Sequence, residues 1–253
     1  MAVDFDGKVA VVTGGASDVG SAAVRAFAAA GAKVVVSDPD EESGRELVKS
    51  LGGDGAAVFI ATDIGDADGA GALVKAALDR FGRLDIAFNN AEVRPAPAGL
   101  AEQTAQEFGQ VLTANLRGAF VSMRAEIPAM LATGGGSIVN TSSVLGTLGA
   151  ANESAYVTSA HAVIGLTRGA ASDYASHGIR VNAILPGSVD TASFRRAATD
   201  APELYDQARE TNPTHRPADP REVADVVLWL ASEQSSYVTG AAISVDGGAT
   251  ATL

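Results

Sequence analysis

Two features of the chain could do chemistry through residue type and spacing alone. The first is the run Thr13-Gly14-Gly15-Ala16-Ser17-Asp18-Val19-Gly20, between an apolar segment and a small-residue helical pattern. A tight glycine turn at a helix N-terminus offers free N–H groups and the positive end of the helix dipole, which suits a phosphate. Glycine turns also merely join elements, but the place of this one, after the first strand of an alternating chain, favours the phosphate reading. The second feature is Asp38, which closes the next apolar run. A carboxylate there can accept hydrogen bonds from an adenosine ribose and repels a 2′-phosphate, favouring NAD over NADP. The alternative is a turn aspartate before Pro39.

Several chemistries are excluded. The absence of cysteine removes disulfides, thiolate metal sites and a cysteine nucleophile. His161, His177 and His215 are scattered without metal-binding spacing, so no metal is expected. Gly15-Ala16-Ser17-Asp18-Val19 lacks the final glycine of a nucleophile elbow.

The elements that must position these residues alternate. Short β-branched runs at 8–12, 33–37, 57–61, 84–88, 137–141, 180–184 and 242–245 read as strands. Helical patterns occupy 20–30, 41–51, 66–81 with Asp66 as N-cap, 105–131, 155–176 and 221–231. Continuously apolar strands alternating with helices predict one α/β domain over 1–253. Its sheet is Rossmann-like, doubly wound and parallel, with about seven strands flanked by helices. Segment 188–220 is polar and punctuated by proline; it reads either as a substrate lid or as a surface helical excursion. Arg195, Arg196, Arg209 and Arg216 within it could meet an anionic substrate or be ordinary surface charges.

Composition agrees with a folded domain. The chain has 253 residues, 47% of them apolar and 19% charged, enough for a full core. Thirty acidic against eighteen basic residues give a formal charge of −12, which disfavours nucleic acid and anionic membranes. No signal-peptide pattern or membrane-length apolar run is present, so a cytoplasmic location is expected.

The chain resembles a short-chain dehydrogenase/reductase, close to the bacterial NAD-dependent alcohol dehydrogenases and ketoreductases. The likeness runs through the glycine turn, Asp63-Ile64, Asn89-Asn90-Ala91, Asn115, Ser142-Ser143, Tyr156, Pro186-Gly187 and Val245-Asp246-Gly247-Gly248. It implies that Asn115 holds a water, Ser143 polarises the substrate oxygen and Tyr156 exchanges the proton. It further implies a dinucleotide held by Gly14, Ser17, Asp18, Val19, Gly20, Asp38, Asp63, Ile64, Asn90 and Ala91. Pro186, Gly187, Val189 and Thr191 would cover the nicotinamide. A small-molecule substrate and a homotetramer are also implied. The apolar residues Val157, Val163, Ile164 and Leu166, and a last strand that would otherwise be a bare sheet edge, support oligomerisation.

Three positions depart from the family pattern. Asp18 and Glu92 replace glycines, and Ala160 stands four residues after Tyr156 where the family has lysine. On this reading Asp18 faces the pyrophosphate, where like charges about 4–6 Å apart oppose each other by roughly 3–4 kcal/mol. Glu92 adds a carboxylate near the nicotinamide ribose. Ala160 removes the ammonium that lowers the tyrosine pKa, leaving Tyr156 near the free value of about 10. That weakens a base more than an acid. The expected function is therefore non-redox acid catalysis at a hydroxyl or carbonyl, such as elimination, isomerisation or cyclisation, with NAD bound weakly if at all. The alternatives are an NAD-dependent alcohol dehydrogenase or ketoreductase, and an inactive or deliberately disabled homologue. No histidine is placed to replace the lysine: His161 lies about 100° round the helix from Ala160.

Overall fold

A computed structural model describes residues 3–62, 65, 67–200 and 203–252. The strands are β1 (Val9–Thr13), β2 (Lys33–Asp38), β3 (Ala57–Ala61), β4 (Ile86–Asn89), β5 (Gly136–Thr141), β6 (Ile179–Pro186) and β7 (Ala242–Val245). They form one parallel sheet in the order β3-β2-β1-β4-β5-β6-β7. The chain order reverses between β1 and β4, and the crevice beyond their C-terminal ends is where such sheets place ligands.

The strands read as unbroken apolar runs because both sheet faces are covered. Side chains alternate between two cores, as a period of two requires. Val12, Val34 and Val36 pack with Val24 and Phe27 of α1 (Asp18–Ala29) and with Val223 and Val227 of α9 (Pro220–Ala231). Val11 and Val35 face the other way. They join Leu73 and Ala77 of α3 (Ala67–Phe81) and Met123 and Met130 of α5 (Gly118–Ala132). The small residues permit close layers: a Cβ on Gly44, in α2 (Glu41–Ser50), would lie 2.0 Å from the Phe59 ring.

Most expected elements form within two residues of their predicted ends. The 105–131 pattern is not one helix. α4 (Ala105–Leu112) runs through a π-helical turn, Thr113–Arg117, into α5. That turn carries Asn115, whose side chain is buried. α6 (Ser154–Tyr174) is the long helix behind the crevice. The 188–220 segment holds α7 (Ala192–Asp200) and α8 (Glu203–Thr211), with Phe194 and Tyr205 edge to face at 4.9 Å. Asp66 lies outside the described residues, as do Asp63 and Ile64. Among the described residues no helix is long and apolar enough to cross a membrane.

Candidate active site

The glycine turn is locked from several sides. Gly14 has φ +60°, and a Cβ on Gly20 would lie 2.0 Å from the Gly14 carbonyl oxygen, so the turn's own closure demands both glycines. Ser17 caps α1: its Oγ accepts from the Gly20 N–H at 3.1 Å and donates to the Gly14 carbonyl at 2.7 Å. From the end of β4, the Asn90 amide donates to the Gly14 carbonyl and to Ser17 Oγ, both at 3.1 Å. Thr13 Oγ1 accepts from the N–H groups of Asn90 and Ala91 at 2.9 and 3.3 Å. The first-turn N–H groups of Asp18 and Val19 have no partner among the described residues and remain available to a phosphate.

Asp38 ends β2 beside the glycine turn and has a structural task. One carboxylate oxygen accepts from the Ala16 N–H and the other from the Asp40 N–H, each at 3.0 Å. Spare lone pairs on both oxygens leave room for ribose hydroxyls.

Asp18 differs from expectation. Its Oδ2 accepts from the Ala192 N–H at 2.7 Å, and its Oδ1 lies 3.8 Å from Arg195. Ala192 opens α7, whose first N–H groups lack intrahelical acceptors, so a carboxylate is stabilised there. Asp18 thus ties the glycine turn to the 188–220 segment, and Arg195 offsets part of its charge. The repulsion of a pyrophosphate is smaller than the bare carboxylate implied.

The segment expected to cover a nicotinamide is partly engaged in that structure. Pro186 ends β6, and the Gly187 N–H bonds the Val245 carbonyl at 3.1 Å. Val189 bridges to Ala218. Thr191 Oγ1 accepts from the Phe194 N–H at 3.1 Å, holding the first turn of α7.

At the other end of the crevice, Tyr156 emerges from the first turn of α6 and is buried. Its hydroxyl donates to Glu92, 3.3 Å from Oε1 and 3.2 Å from Oε2. The Arg94 guanidinium lies 5.2 Å from the Tyr156 ring centroid and pairs with Glu153 at 2.7 Å. Ser143 is buried beside this group, its Oγ accepting from the Leu145 N–H at 3.2 Å. One helical turn beyond Tyr156, Ala160 is buried and contributes only its carbonyl, which accepts from Ser142 Oγ at 2.9 Å.

Asn115 is tied to the 92–94 segment and to α6. Its Oδ1 accepts from the Val93 N–H at 2.7 Å, while its Nδ2 donates to the Val93 carbonyl at 2.9 Å and to Ser159 Oγ at 3.1 Å. The two hydrogen bonds to one residue's backbone fix the segment that carries Glu92 and Arg94.

Burial pushes the Tyr156 phenol above its ordinary pKa, and the Glu92 carboxylate pushes it further; Ser143 and Arg94 pull the other way. The expectation of a near-free tyrosine is thus corrected upward, and the group is a proton donor at neutral pH. Desolvation raises the Glu92 carboxyl to about 7, against the hydrogen bond from Tyr156 and the charge of Arg94. Glu92 keeps water-accessible surface in the open crevice despite the protein crowded around it.

Asp38 and the free N–H groups of α1 suit adenosine and phosphate. Around Tyr156, the Ala160 methyl and the Glu92 carboxylate stand where the resemblance implies a cation and a glycine, so the chain offers no ammonium there to a nicotinamide ribose.

Arg94 and Glu153 were missed in the sequence. The available signal was a basic residue two positions after an unexpected glutamate, with another acid three before the tyrosine. The histidines are elsewhere engaged: His161 bonds the Val157 carbonyl and His215 the Arg209 carbonyl, each at 2.9 Å, and His177 stands against Tyr174. No cluster of acidic residues and histidines able to hold a metal occurs among the described residues.

Comparison with known proteins agrees with this architecture. The family described as Enoyl-(Acyl carrier protein) reductase matches residues 14–250. A 2,5-dichloro-2,5-cyclohexadiene-1,4-diol dehydrogenase of Sphingobium indicum is 43% identical over 98% of this chain and 99% of its own. An A-factor type gamma-butyrolactone 1'-reductase of Streptomyces virginiae is 40% identical, over 96% of this chain and 95% of its own. The crystal structure of gox2181 superposes with a TM-score of 0.93 at 33% identity, covering 98% of this chain and 97% of that one. The parallel sheet, the glycine turn at its switch point and these full-length relatives place the chain in the short-chain dehydrogenase/reductase family.

Proposed function

We propose that this protein catalyses a non-redox reaction at the hydroxyl or carbonyl of a small organic molecule: an elimination, isomerisation or cyclisation. Tyr156 donates a proton to the substrate oxygen, Ser143 polarises it, and Asn115 positions the 92–94 segment beside them. One observation carries this reading. The Tyr156 hydroxyl is directed at Glu92, with Ala160 one turn beyond, so the resting phenol is protonated and meets a substrate oxygen as a donor rather than as a base. A neutral phenol is a poor base and a serviceable acid.

On the same reading dinucleotide binding is weak, NAD is preferred to NADP because of Asp38, and 188–220 closes over the crevice. The hollow between α4, α5 and α6, lined by Leu112, Leu116, Phe120 and Leu166, supports a homo-oligomer, for which we propose a tetramer in the cytoplasm. Neither nucleic acid nor membrane suits a chain of net charge −12.

The test incubates the protein with cyclic hydroxyketones and no nucleotide, following dehydration or isomerisation by mass spectrometry. Turnover lost in Tyr156→Phe supports the proposal. Nucleotide-dependent oxidation or reduction as the sole activity overturns it. That second reading, an NAD-dependent dehydrogenase, draws support from Asp38, from the available N–H groups of α1 and from the relatives' names.

A further inference from the structure

We infer that Glu92 is the general base of this site, removing a proton from the carbon next to a ketone whose oxygen is held by Tyr156 and Ser143. The substrate class is then a ketone with an acidic α-hydrogen and a β-hydroxyl. The inference rests on the non-redox reading and names the group that reading leaves without a role.

The geometry gives Glu92 the necessary reach. Both of its oxygens lie near the Tyr156 hydroxyl, at 3.2 and 3.3 Å. An O–H···O⁻ bond is usually about 2.5–2.7 Å, so this contact is loose and shared. An incoming ketone oxygen can take the Tyr156 hydrogen. The carboxylate is then left beside the neighbouring α-carbon, because that carbon is bonded to the carbonyl carbon whose oxygen Tyr156 holds. The position of Glu92 is also fixed: Asn115 grips Val93 through both backbone polar atoms, so Glu92 and Arg94 leave the same anchored point. Arg94 is occupied by Glu153 and by the face of Tyr156, which leaves Glu92 without a direct ion-pair partner among the described residues. A base must be able to change its charge near the working pH, and crowding moves this carboxyl in that direction.

The reaction balances without an external oxidant. The Glu92 carboxylate takes the α-proton, and the C–H electron pair forms an enolate whose oxygen accepts from Tyr156 and Ser143. When the enolate collapses to the enone, the β C–O bond breaks. The leaving hydroxide takes the proton from Glu92, so water departs and the carboxylate is restored. Without a β-hydroxyl the same steps exchange the α-hydrogen with solvent.

The experiment uses 3-hydroxycyclohexanone and cyclohexanone as probes in deuterium oxide, with proton NMR of α-exchange and enone formation and no nucleotide present. The wild type should exchange both and dehydrate the first. Glu92→Gln should slow both by at least roughly a hundredfold with its thermal melt retained, and Glu92→Asp should recover part of the rate. The wild-type rate should rise with pH as Glu92 ionises, facing Arg94 on its own loop and Tyr156 and Glu153 from α6 and its N-cap. Exchange kept by Glu92→Gln but lost by Tyr156→Phe overturns the role of Glu92 and leaves the non-redox function standing. No exchange by the wild type on either probe overturns both.

Discussion

The Asp18 carboxylate and the Ala192 N–H, 174 positions apart in the chain, are 2.7 Å apart in the fold. One belongs to the glycine turn and the other opens α7. A contact at the candidate phosphate site and a contact at the start of the 188–220 helices are therefore the same contact.

Asp18→Ala should loosen α7. Loss of a side-chain acceptor at a helix start costs about 1 kcal/mol, and part of that cost should appear as local opening rather than global unfolding. Hydrogen exchange at 192–200 should accelerate more than at β1 or β6. Equal protection in the variant would mean that other contacts hold the segment.

Restoring the family pattern tests the dinucleotide reading. The triple variant Asp18→Gly, Glu92→Gly and Ala160→Lys should bind NADH at least about tenfold more tightly, or about 1.4 kcal/mol, by fluorescence titration. Asp18 contributes less to this gain than a bare carboxylate would, since Arg195 stands 3.8 Å away. Tight binding by the unaltered protein would favour hydride transfer over the non-redox reaction.

Tyr156→Phe removes one hydroxyl and leaves the ring under Arg94. Turnover should vanish while the melting temperature changes little. The same change deletes the hydrogen bond that lowers the Glu92 pKa, so this carboxyl should titrate higher in the variant. Carboxyl-labelled NMR through a pH series would show the direction.

Arg94→Ala would leave Glu153 buried without its guanidinium partner, and the unpaired carboxylate should cost about 1–3 kcal/mol. Denaturant unfolding measures this. Arg94→Lys should recover only part, because the planar fork and ring stacking are both lost.

Glu126 supplies a pH test away from the crevice. It is buried in α5 with a hydrogen bond from Asn89 at 3.2 Å, and burial raises its carboxyl to about 8. The folded chain therefore holds a proton there that the unfolded chain releases above its ordinary value of 4.5. Stability should fall as pH rises from about 4.5 towards 8, by up to about 1.4 kcal/mol per unit from this group, and then level off. Glu126→Gln should flatten that slope and be the more stable form at pH 8.

The strands were legible because both faces of each are buried, which leaves continuous β-branched runs such as Val9–Thr13. The glycine turn was legible because closure against Gly14 tolerates no side chain at Gly20. The direction of Asp18 was not, since its partner lies far along the chain in a polar segment with no strong pattern. The break at Thr113–Arg117 was equally hidden: local periodicity continues across it, and the inward turn of Asn115 answers to Val93 on another element. Arg94 and Glu153 meet only through the folding of the 91–103 connection over α6.

Asn115 holds position 93 by its peptide atoms alone, so that grip is indifferent to which side chains stand at 92 and 94. The scaffold thus carries two interchangeable sockets on a fixed mount. On the proposed reading, the group at 92 sets which chemistry meets a substrate while the Asn115 mount stays in place.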